Sequence, residues 1–381
     1  MSLKKGARRL LLVLTCALVL VFTPFLSGCG STQPERQSPI KDLTWDEQRG
    51  HLYMGSTPYK TNPVNGGGLV TYDADTKSIS YINRSTGLPN GNFVSTVKYD
   101  PLSGKLFFIS AVKGPYGQLL QVYDPDSGCF TSKGDASFTA IHPAGDRWYY
   151  SNSQAEVYNA SMSNSSSTRI TGFTFQSTDS VTALFMSQGL LYVGMSTGQF
   201  YVCRNNAAVK TEWSGSGINR FAAGPPAGTV YFTTSAGLGY YDPPIGKTFV
   251  SSCKDNIIDI TADSTYVYLL VNTGSKYVVK SYLPSSDTLT TLFDSGKCSA
   301  IDGKAYCIEC APSRGLLFVG GTGGLGIYDL ATKKITVKTY KNGLPSDPPY
   351  FQGPGFELVP LIAAVAGLLL FRRYKQDRLK R

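Results

Sequence analysis

A short pattern of apolar and polar positions recurs seven times along the chain. Each copy is a four-residue run with an aromatic residue at its second place. The copies are LYMG (residues 52–55), LFFI (106–109), WYYS (148–151), LYVG (191–194), VYFT (230–233), VYLL (267–270) and LFVG (317–320). A second run follows most copies in step and ends in Tyr-Asp, as in GGLGIYD at residues 323–329. Such runs joined by glycine-containing turns predict β-hairpins, which are marginally stable alone.

Further strands are predicted on both sides of each hairpin. Inner-strand candidates precede it, such as residues 93–97 and 257–260, and alternating runs such as residues 78–82 follow it. Four short strands per unit, repeated about every 40–50 residues, are typical of a β-propeller. We therefore predict an all-β fold with seven four-stranded blades over residues 40–348. Six or eight blades stay open because two third-strand runs are degenerate, and residues 40–45 could serve either the first or the last blade.

Aspartates close the second run at the same register position in several blades, namely Asp73, Asp124, Asp242 and Asp329. Carboxylates invite a metal-binding interpretation, but an aspartate at a strand end commonly accepts hydrogen bonds from the turn that follows. We interpret these four as turn caps. No metal site is predicted from them.

Two blades resemble the repeats of two-component-regulator-type propellers. The segments are GGLVTYDADTKSISYINRSTGLP, ending at Pro89, and GGLGIYDLATKKITVKTYKNGLP, ending at Pro345. They share Gly-Gly-Leu, Tyr-Asp and a closing Gly-Leu-Pro. The resemblance implies an extracytoplasmic sensing propeller, which in that family is joined to a kinase. Only ten residues follow the last apolar segment here, so a sensor of this kind is expected to act through a separate partner.

The first 28 residues read as a signal peptide. A basic start precedes an apolar run over residues 10–22, and LSGC follows at residues 26–29. LSGC resembles a lipobox, which implies that Cys29 becomes the first mature residue and carries a lipid. Cleavage beside Cys29 without lipidation is the alternative. Residues 29–39 are polar and read as a tether.

The C-terminal segment, residues 349–381, reads as a second signal. Pro354, Gly355 and Phe356 precede an apolar run over residues 358–371, and Arg372 and Arg373 follow. The run is shorter than the about 20 residues that a spanning helix needs. The whole pattern resembles the PGF-CTERM sorting signal of archaeal surface proteins, which implies cleavage by an archaeosortase-like enzyme and attachment to a membrane lipid. The alternative is a plain membrane anchor. Both place the propeller at the cell surface, on the outer face of the cytoplasmic membrane.

The formal net charge of +10 belongs to the ends of the chain. Ten of the 36 basic residues lie before residue 29 or after residue 371, and the region between is nearly neutral. A nucleic-acid-binding domain needs a basic surface, which the propeller lacks. We expect no nucleic-acid partner.

Candidate catalytic chemistry is sparse. The two histidines, His51 and His142, fall in different blades, and we interpret both as loop residues. No metalloprotease, phosphate-loop or dinucleotide motif occurs. We predict no catalytic residue, metal or cofactor. Convergence of Asp, Glu, His or Tyr from three or more blades on one pocket would favour an enzyme instead.

Six cysteines lie outside the signal segment: Cys129, Cys203, Cys253, Cys298, Cys307 and Cys310. An even number in an exported chain is compatible with disulfides. We predict a bond from Cys298 to Cys307 or Cys310, with free thiols as the alternative. Cys307 and Cys310 should point to opposite faces of one strand.

Three sequons mark candidate glycosylation sites at Asn83, Asn159 and Asn164. They fit an exported glycoprotein, and the serine-rich loop around Asn164 is the best placed of the three.

The sequence thus predicts a membrane-anchored surface propeller that acts as a non-enzymatic binding module. Its partner would be a surface-layer or other surface protein, a glycan or a small ligand. The alternatives are a ligand sensor with a separate partner and a surface glycan lyase or hydrolase.

Overall fold

Seven four-stranded antiparallel sheets follow one another along the chain and form a propeller. The computed structural model describes residues 31–32, 36–57, 68–82, 93–111, 118–136, 138–164, 166–174, 178–213, 215–347 and 351–352. The all-β fold with seven four-stranded blades is confirmed. The propeller comprises residues 37–347.

Within each blade the strands run outward in chain order. The inner strands are Ile40–Asp46, Phe93–Asp100, Phe138–Ala144, Val181–Ser187, Ile218–Gly224, Asn256–Ala262 and Ala305–Ala311. The second strands are His51–Ser56, Lys105–Ala111, Arg147–Asn152, Leu190–Met195, Thr229–Thr234, Val267–Asn272 and Leu316–Gly321.

The third and outer strands complete the blades. The third strands are Gly68–Asp73, Gln118–Asp124, Val157–Ser161, Phe200–Arg204, Gly237–Asp242, Tyr277–Leu283 and Gly324–Asp329. The outer strands are Ile79–Ile82, Cys129–Ala136, Ser167–Arg169, Ala207–Lys210, Lys247–Val250, Thr288–Asp294 and Ile335–Lys338. One-turn 3-10 helices are Pro284–Ser286, Ser299–Ile301, Pro312–Arg314 and Tyr340–Asn342, and further two-residue strands are Ser31–Thr32, Arg36–Gln37, Ser346–Asp347 and Phe351–Gln352.

Each blade is made from one continuous stretch of chain, including the two blades at the seam. Ile40–Asp46 is the inner strand of blade 1, which decides between the two alternatives that the sequence left open. The seam between blades 7 and 1 is held by side-chain and main-chain contacts. Arg314 Nη2 lies 3.0 Å from a carboxylate oxygen of Asp75, and Gln37 Nε2 donates to the carbonyl oxygen of Pro345 at 2.9 Å.

The recurring aromatic residue of the second strand fills the space between neighbouring blades. Its seven occurrences are all buried: Tyr53, Phe107, Tyr149, Tyr192, Tyr231, Tyr268 and Phe318. Tyr53 of blade 1, for example, belongs to a cluster with Val94 and Leu106 of blade 2. Because such rings bury a large apolar area, they account for much of the blade-to-blade attraction.

The glycine that ends three of the recurring runs has a steric role. Gly55, Gly194 and Gly320 each lie against a β-branched residue within the first two positions of the next blade's inner strand, namely Val94, Ile218 and Ile40. A Cβ atom at Gly320 would lie 2.7 Å from Ile40 Cγ2, and one at Gly194 would lie 2.6 Å from Ile218 Cγ2. The glycine therefore allows the close approach of adjacent blades.

We expect Gly320→Ala to destabilise the propeller by about 1–3 kcal/mol, because the added methyl overpacks the seam against Ile40 and the Cys307 sulfur. Urea unfolding of the two single variants and of the double variant with Ile40→Ala measures this. Ile40→Ala removes the crowding Cγ2 atom, so it should cost less in the Gly320→Ala background than in the wild type. Simple additivity of the two changes would show that Ile40 does not cause the overpacking.

The turn-cap interpretation is confirmed for three of the four aspartates. Asp73 Oδ1 accepts from the main-chain N–H groups of Asp75 at 2.8 Å and Thr76 at 3.1 Å. Asp124 and Asp329 accept equivalent pairs of bonds. The pKa of each of these three carboxyls is lowered; for Asp73, hydrogen bonding from Thr76 is the main cause. In the Asp242 turn, Gly246 N–H instead donates to the main-chain oxygen of Asp242 at 2.8 Å.

Several sequence predictions concern residues outside the part that the structure describes. These are Cys29, Asn83, Pro354, Gly355 and Phe356. Among the described residues, no helix has the length and apolar character to span a membrane.

Candidate functional site: the central channel

Each of the seven inner strands carries a β-bulge near its start, at the same position in every blade. In blade 1 it lies between Ile40 and Asp42, and in blade 6 between Ile257 and Asp259. A bulge twists the strand and re-aims the side chains beside it. Two rings of residues follow it. The first ring is Asp42, Thr96, Ala140, Ala183, Arg220, Asp259 and Cys307. The second ring is Thr44, Lys98, His142, Phe185, Ala222, Thr261 and Glu309.

The two rings enclose a cavity of about 300 Å³ on the propeller axis, and every ring residue except Cys307 lines it. Each of the seven inner strands contributes to the lining. Channels of this kind are a common place for propellers to bind ligands, so this cavity is the candidate functional site.

An Asp-x-Thr pair in blade 1 ties its inner strand to that of blade 2. Asp42 Oδ2 accepts from the N–H of Val97 at 3.0 Å, and Thr44 Oγ1 accepts from the N–H of Tyr99 at 3.0 Å. The Asp42 side chain is 3% exposed. These bonds satisfy main-chain donors that face a neighbouring blade rather than a strand of their own sheet.

Blade 6 makes the same pair of hydrogen bonds to blade 7, and we call each such Asp-x-Thr pair an inter-blade brace. Asp259 Oδ2 accepts from the N–H of Ile308 at 2.9 Å, and Thr261 Oγ1 accepts from the N–H of Cys310 at 3.2 Å. The same spacing in two blades therefore builds the same inter-blade contact.

Both brace aspartates are also paired with a cation in the channel. Lys98 Nζ lies 2.9 Å from Asp42 Oδ2, and Arg220 Nε lies 3.5 Å from Asp259 Oδ1. Burial raises the pKa of Asp259 in spite of Arg220. With both pairs ionised, their charges cancel and the channel gains no net charge from them.

Glu309 is the remaining carboxyl of the channel, and it has no cation at ion-pair distance among the described residues. Its Oε1 atom accepts from Thr261 Oγ1 at 3.3 Å and from the N–H of Cys310 at 3.2 Å. Burial raises the pKa of Glu309 to about 8, although Lys98 opposes the shift. The carboxyl is therefore mostly protonated at neutral pH, and it can donate as well as accept a hydrogen bond.

His142 faces the channel from blade 3, and its ring meets that of Phe185 edge-on with centroids 5.3 Å apart. Neither imidazole nitrogen has a hydrogen bond within the described parts of the chain. Burial lowers the pKa of His142 to about 4, with Lys98 adding to the shift and Asp100 opposing it. The imidazole is neutral at physiological pH, with one donor and one acceptor nitrogen.

The channel has a polar side and an apolar side. Blades 6, 7, 1 and 2 contribute Asp42, Lys98, Asp259, the ring threonines and Glu309. Blades 3, 4 and 5 contribute Ala140, Ala183, Phe185 and Ala222, together with His142 and Arg220. Blades 3 and 7 are three blades apart by the shorter way round a ring of seven. Glu309 and His142 occupy the same register position in those blades, so they face each other across the channel.

The interpretation of the histidines as loop residues was wrong, because both lie on strands and His142 lines the channel. The criterion set for an enzyme is met, since Asp42, His142, Asp259 and Glu309 converge from four blades. One signal in the sequence could have indicated this channel. Asp-x-Thr occurs twice within inner strands that are otherwise rich in apolar residues.

The cysteine prediction needs a correction. All six cysteines in the described region are free thiols, and the bond expected from Cys298 is not formed. Cys298 and Cys310 lie in one apolar cluster, whereas Cys307 lies in another that also holds Ile40. Cys307 and Cys310 do point to opposite faces of their strand. Burial raises the pKa of all three thiols, which makes them poor nucleophiles.

The two sequons that the structure describes differ in access. Asn159 is buried; its oxygen accepts from Arg147 Nε at 2.6 Å, and its amide nitrogen donates to Asn206 Oδ1 at 2.9 Å. Asn164 is exposed and accepts from the N–H of Ser166 at 2.9 Å. A glycan on Asn159 would have to displace two hydrogen bonds, so Asn164 is the better placed site.

A second cavity of about 240 Å³ lies between blades 3 and 4. Arg147 and Asn206, two of its polar residues, are bonded to Asn159. Its polar groups are thus largely used internally, in contrast to those of the channel. Within the described ranges, no group of three or more His, Cys, Asp or Glu side chains is arranged to hold a metal ion.

No protein-family model matches the sequence, and none of the curated proteins matches it either. Solved structures similar in fold include a chain of the mitotic checkpoint complex, at 12% identity and a TM-score of 0.54, with 76% of this chain and 89% of that chain covered. The β-propeller domain of Cps50 (Swd1) from Myceliophteria thermophila has 11% identity and a TM-score of 0.56, with 81% and 99% covered.

PorZ, a surface component of the type IX secretion system of Porphyromonas gingivalis, is also similar. It has 12% identity and a TM-score of 0.53, with 84% of this chain and 40% of that chain covered. At such identities these similarities establish the propeller fold alone.

Proposed function

We propose that this protein is a non-enzymatic binding module of the cell surface and that the central channel is its ligand site. One observation carries the proposal. Glu309 and His142 face the same cavity with unused hydrogen-bonding capacity, while the other ionisable groups of the rings are paired or bonded. Polar groups that converge on a cavity and keep unused hydrogen-bonding capacity are typical of a ligand site.

The surface location is supported by the two ends of the sequence. The LSGC segment ending at Cys29 supports an N-terminal lipid, and the Pro354-Gly355-Phe356 motif supports processing by an archaeosortase-like enzyme. A surface protein or a glycan would then be within reach of the module. Mass spectrometry of the two terminal peptides from native membranes tests both attachments.

The ligand site is tested by partly filling the channel. We expect Ala222→Leu, which adds three carbon atoms to the apolar side of the cavity, to weaken binding about tenfold or more. Thermal-shift screening of a small-molecule library against the wild type identifies binders, and titration compares the variants. Ala207→Leu is the matched control, since Ala207 is exposed on the outer strand of blade 4. Binders that distinguish neither variant from the wild type would contradict a channel site.

A second candidate is a glycan-cleaving enzyme that uses the same cavity. It is favoured by the convergence of four ionisable residues and by Glu309, a carboxyl that holds its proton at neutral pH. Most glycosidases need a second, available carboxylate. Asp42 and Asp259 are held by main-chain donors and by cations instead, so binding is the better supported function.

A further inference from the structure

We infer that the channel takes an uncharged, polyhydroxylated ligand of about the size of a monosaccharide, held between Glu309 and His142. The inference rests on the proposed channel site and names the class of its ligand. Three properties of the channel lead to this inference. Its charges are balanced, some of its hydrogen-bonding atoms have no partner among the described residues, and one of its sides is more polar than the other.

The charge balance disfavours both kinds of ion. A cationic ligand would meet the positive charges of Lys98 and Arg220, and an anionic one would meet Asp42 and Asp259. Each of these four groups already has a partner of opposite sign. A ligand charge would therefore lose part of its hydration without gaining an unpaired counter-charge, which is unfavourable.

The hydrogen-bonding atoms that Glu309 and His142 leave unpaired are suited to hydroxyl groups. A protonated carboxyl donates one bond and accepts others, and a neutral imidazole does the same through its two nitrogens. A hydroxyl group likewise both donates and accepts, so several hydroxyls on one ligand can satisfy Glu309 and His142 from opposite sides. The free nitrogens of His142 and the second carboxyl oxygen of Glu309, which has no bond to the described part of the protein, are the contact points.

The unlike sides fit the two faces of a sugar ring, one rich in C–H groups and one rich in hydroxyls. Phe185 and the ring alanines supply the apolar side. Phe185 is held by the edge of His142 and by a stacked contact with Phe221, with the Phe185 and Phe221 centroids 6.4 Å apart. The cavity volume of about 300 Å³ lies at the lower end of small-molecule sites, which suits a single ring.

Three sugars that share one ring frame test the charge argument: D-glucose, the cationic D-glucosamine and the anionic D-glucuronate. N-acetyl-D-glucosamine and D-galactose extend the neutral set. Saturation-transfer NMR and calorimetric titration on the full chain should show a neutral sugar binding about tenfold or more tightly than both ions, by the penalty for an unpaired charge. Ala222→Leu should abolish the difference and Ala207→Leu should preserve it.

Variants of Glu309 test the contact itself. We expect Glu309→Gln, which keeps an uncharged donor and acceptor, to retain binding, and Glu309→Ala to weaken it about tenfold. Binding to the wild type should weaken as Glu309 ionises above about pH 8. Its neighbours Lys98, Asp259, Thr261 and Cys310 remain in place in Glu309→Gln, so that variant should bind equally on both sides of this pH.

The outcomes separate the two proposals. If a charged sugar binds best and its binding is lost in Ala222→Leu, the ligand class is wrong and the channel site stands. The same conclusion follows if only unrelated library compounds bind and lose their binding in that variant. If neither the sugars nor any library compound depends on residue 222, both proposals fail. A neutral sugar that binds equally well to Glu309→Ala would overturn the placement between Glu309 and His142.

Discussion

Replacing Asp42 by alanine is expected to lower the free energy of unfolding by about 3–5 kcal/mol. The carboxylate is almost fully buried and serves two partners at once, the N–H of Val97 and the ammonium group of Lys98. Its removal leaves a buried main-chain donor without an acceptor and a channel cation without a counter-charge. Both losses fall at the contact between blades 1 and 2, so the ring itself is weakened.

Two variants calibrate this effect in the same urea-unfolding measurement. Asp42→Asn keeps an acceptor for Val97 and removes the charge, so we expect a smaller loss of about 1–3 kcal/mol. Asp126→Ala removes an ion pair with Arg49 in which the aspartate is 77% exposed, and it should cost less than about 1 kcal/mol. If Asp42→Ala costs no more than Asp126→Ala, the inter-blade brace does not stabilise the ring.

The second large effect is a loss of stability of about 1–2 kcal/mol between pH 6.5 and 8, caused by Glu309. In the folded protein the pKa of Glu309 is raised from 4.5 to about 8. Between these values the folded chain holds a proton that the unfolded chain has released. Raising the pH from about 4.5 to about 8 therefore favours unfolding. The contribution of Glu309 to stability is fully present only below about pH 4.5.

His142 acts in the opposite direction at lower pH. Its pKa falls from 6.5 in the unfolded chain to about 4 in the folded protein, so stability is lost as the pH falls through that interval. From about pH 4.5 to 6.5 the two groups oppose each other, and above pH 6.5 only Glu309, of these two, still changes its protonation. A plateau followed by a decline is the expected profile.

Urea midpoints across this pH range test the assignment. Glu309→Gln should abolish the decline above pH 6.5, because the amide does not titrate. His142→Phe serves as the comparison and should retain that decline. An unchanged decline in Glu309→Gln would show that another group causes it.

The fold could be predicted because the second strands carry a nearly continuous apolar signal. Leu190–Met195 and Val267–Asn272 are buried on both faces by the adjoining blades, so their run of large residues cannot vary much. The aromatic residue and the glycine of that run meet the next blade directly. The repeat in the sequence thus follows from packing between blades, and packing is the structural property that apolar sequence patterns indicate most directly.

The candidate site could not be predicted in the same way. Channel-facing positions of the inner strands line a cavity rather than the apolar interface between blades, so apolar packing does not constrain them, and they range from Ala183 to Arg220. Glu309 and His142 lie 167 positions apart in a chain without a motif that relates them. Only the ring brings them to face each other, and burial by the surrounding blades is the main cause of both pKa shifts.

The uninterrupted blades have a consequence for how this architecture can change. Because blade 7 ends on its own outer strand and blade 1 begins on its own inner strand, no blade of the described propeller shares a strand with its neighbour. Duplicating or deleting the gene segment for one blade would add or remove a complete sheet without splitting any other. The cavity would then widen or narrow by one inner strand. In a ring of this design, the size of the ligand that fits can evolve by whole modules, independently of the side chains that recognise it.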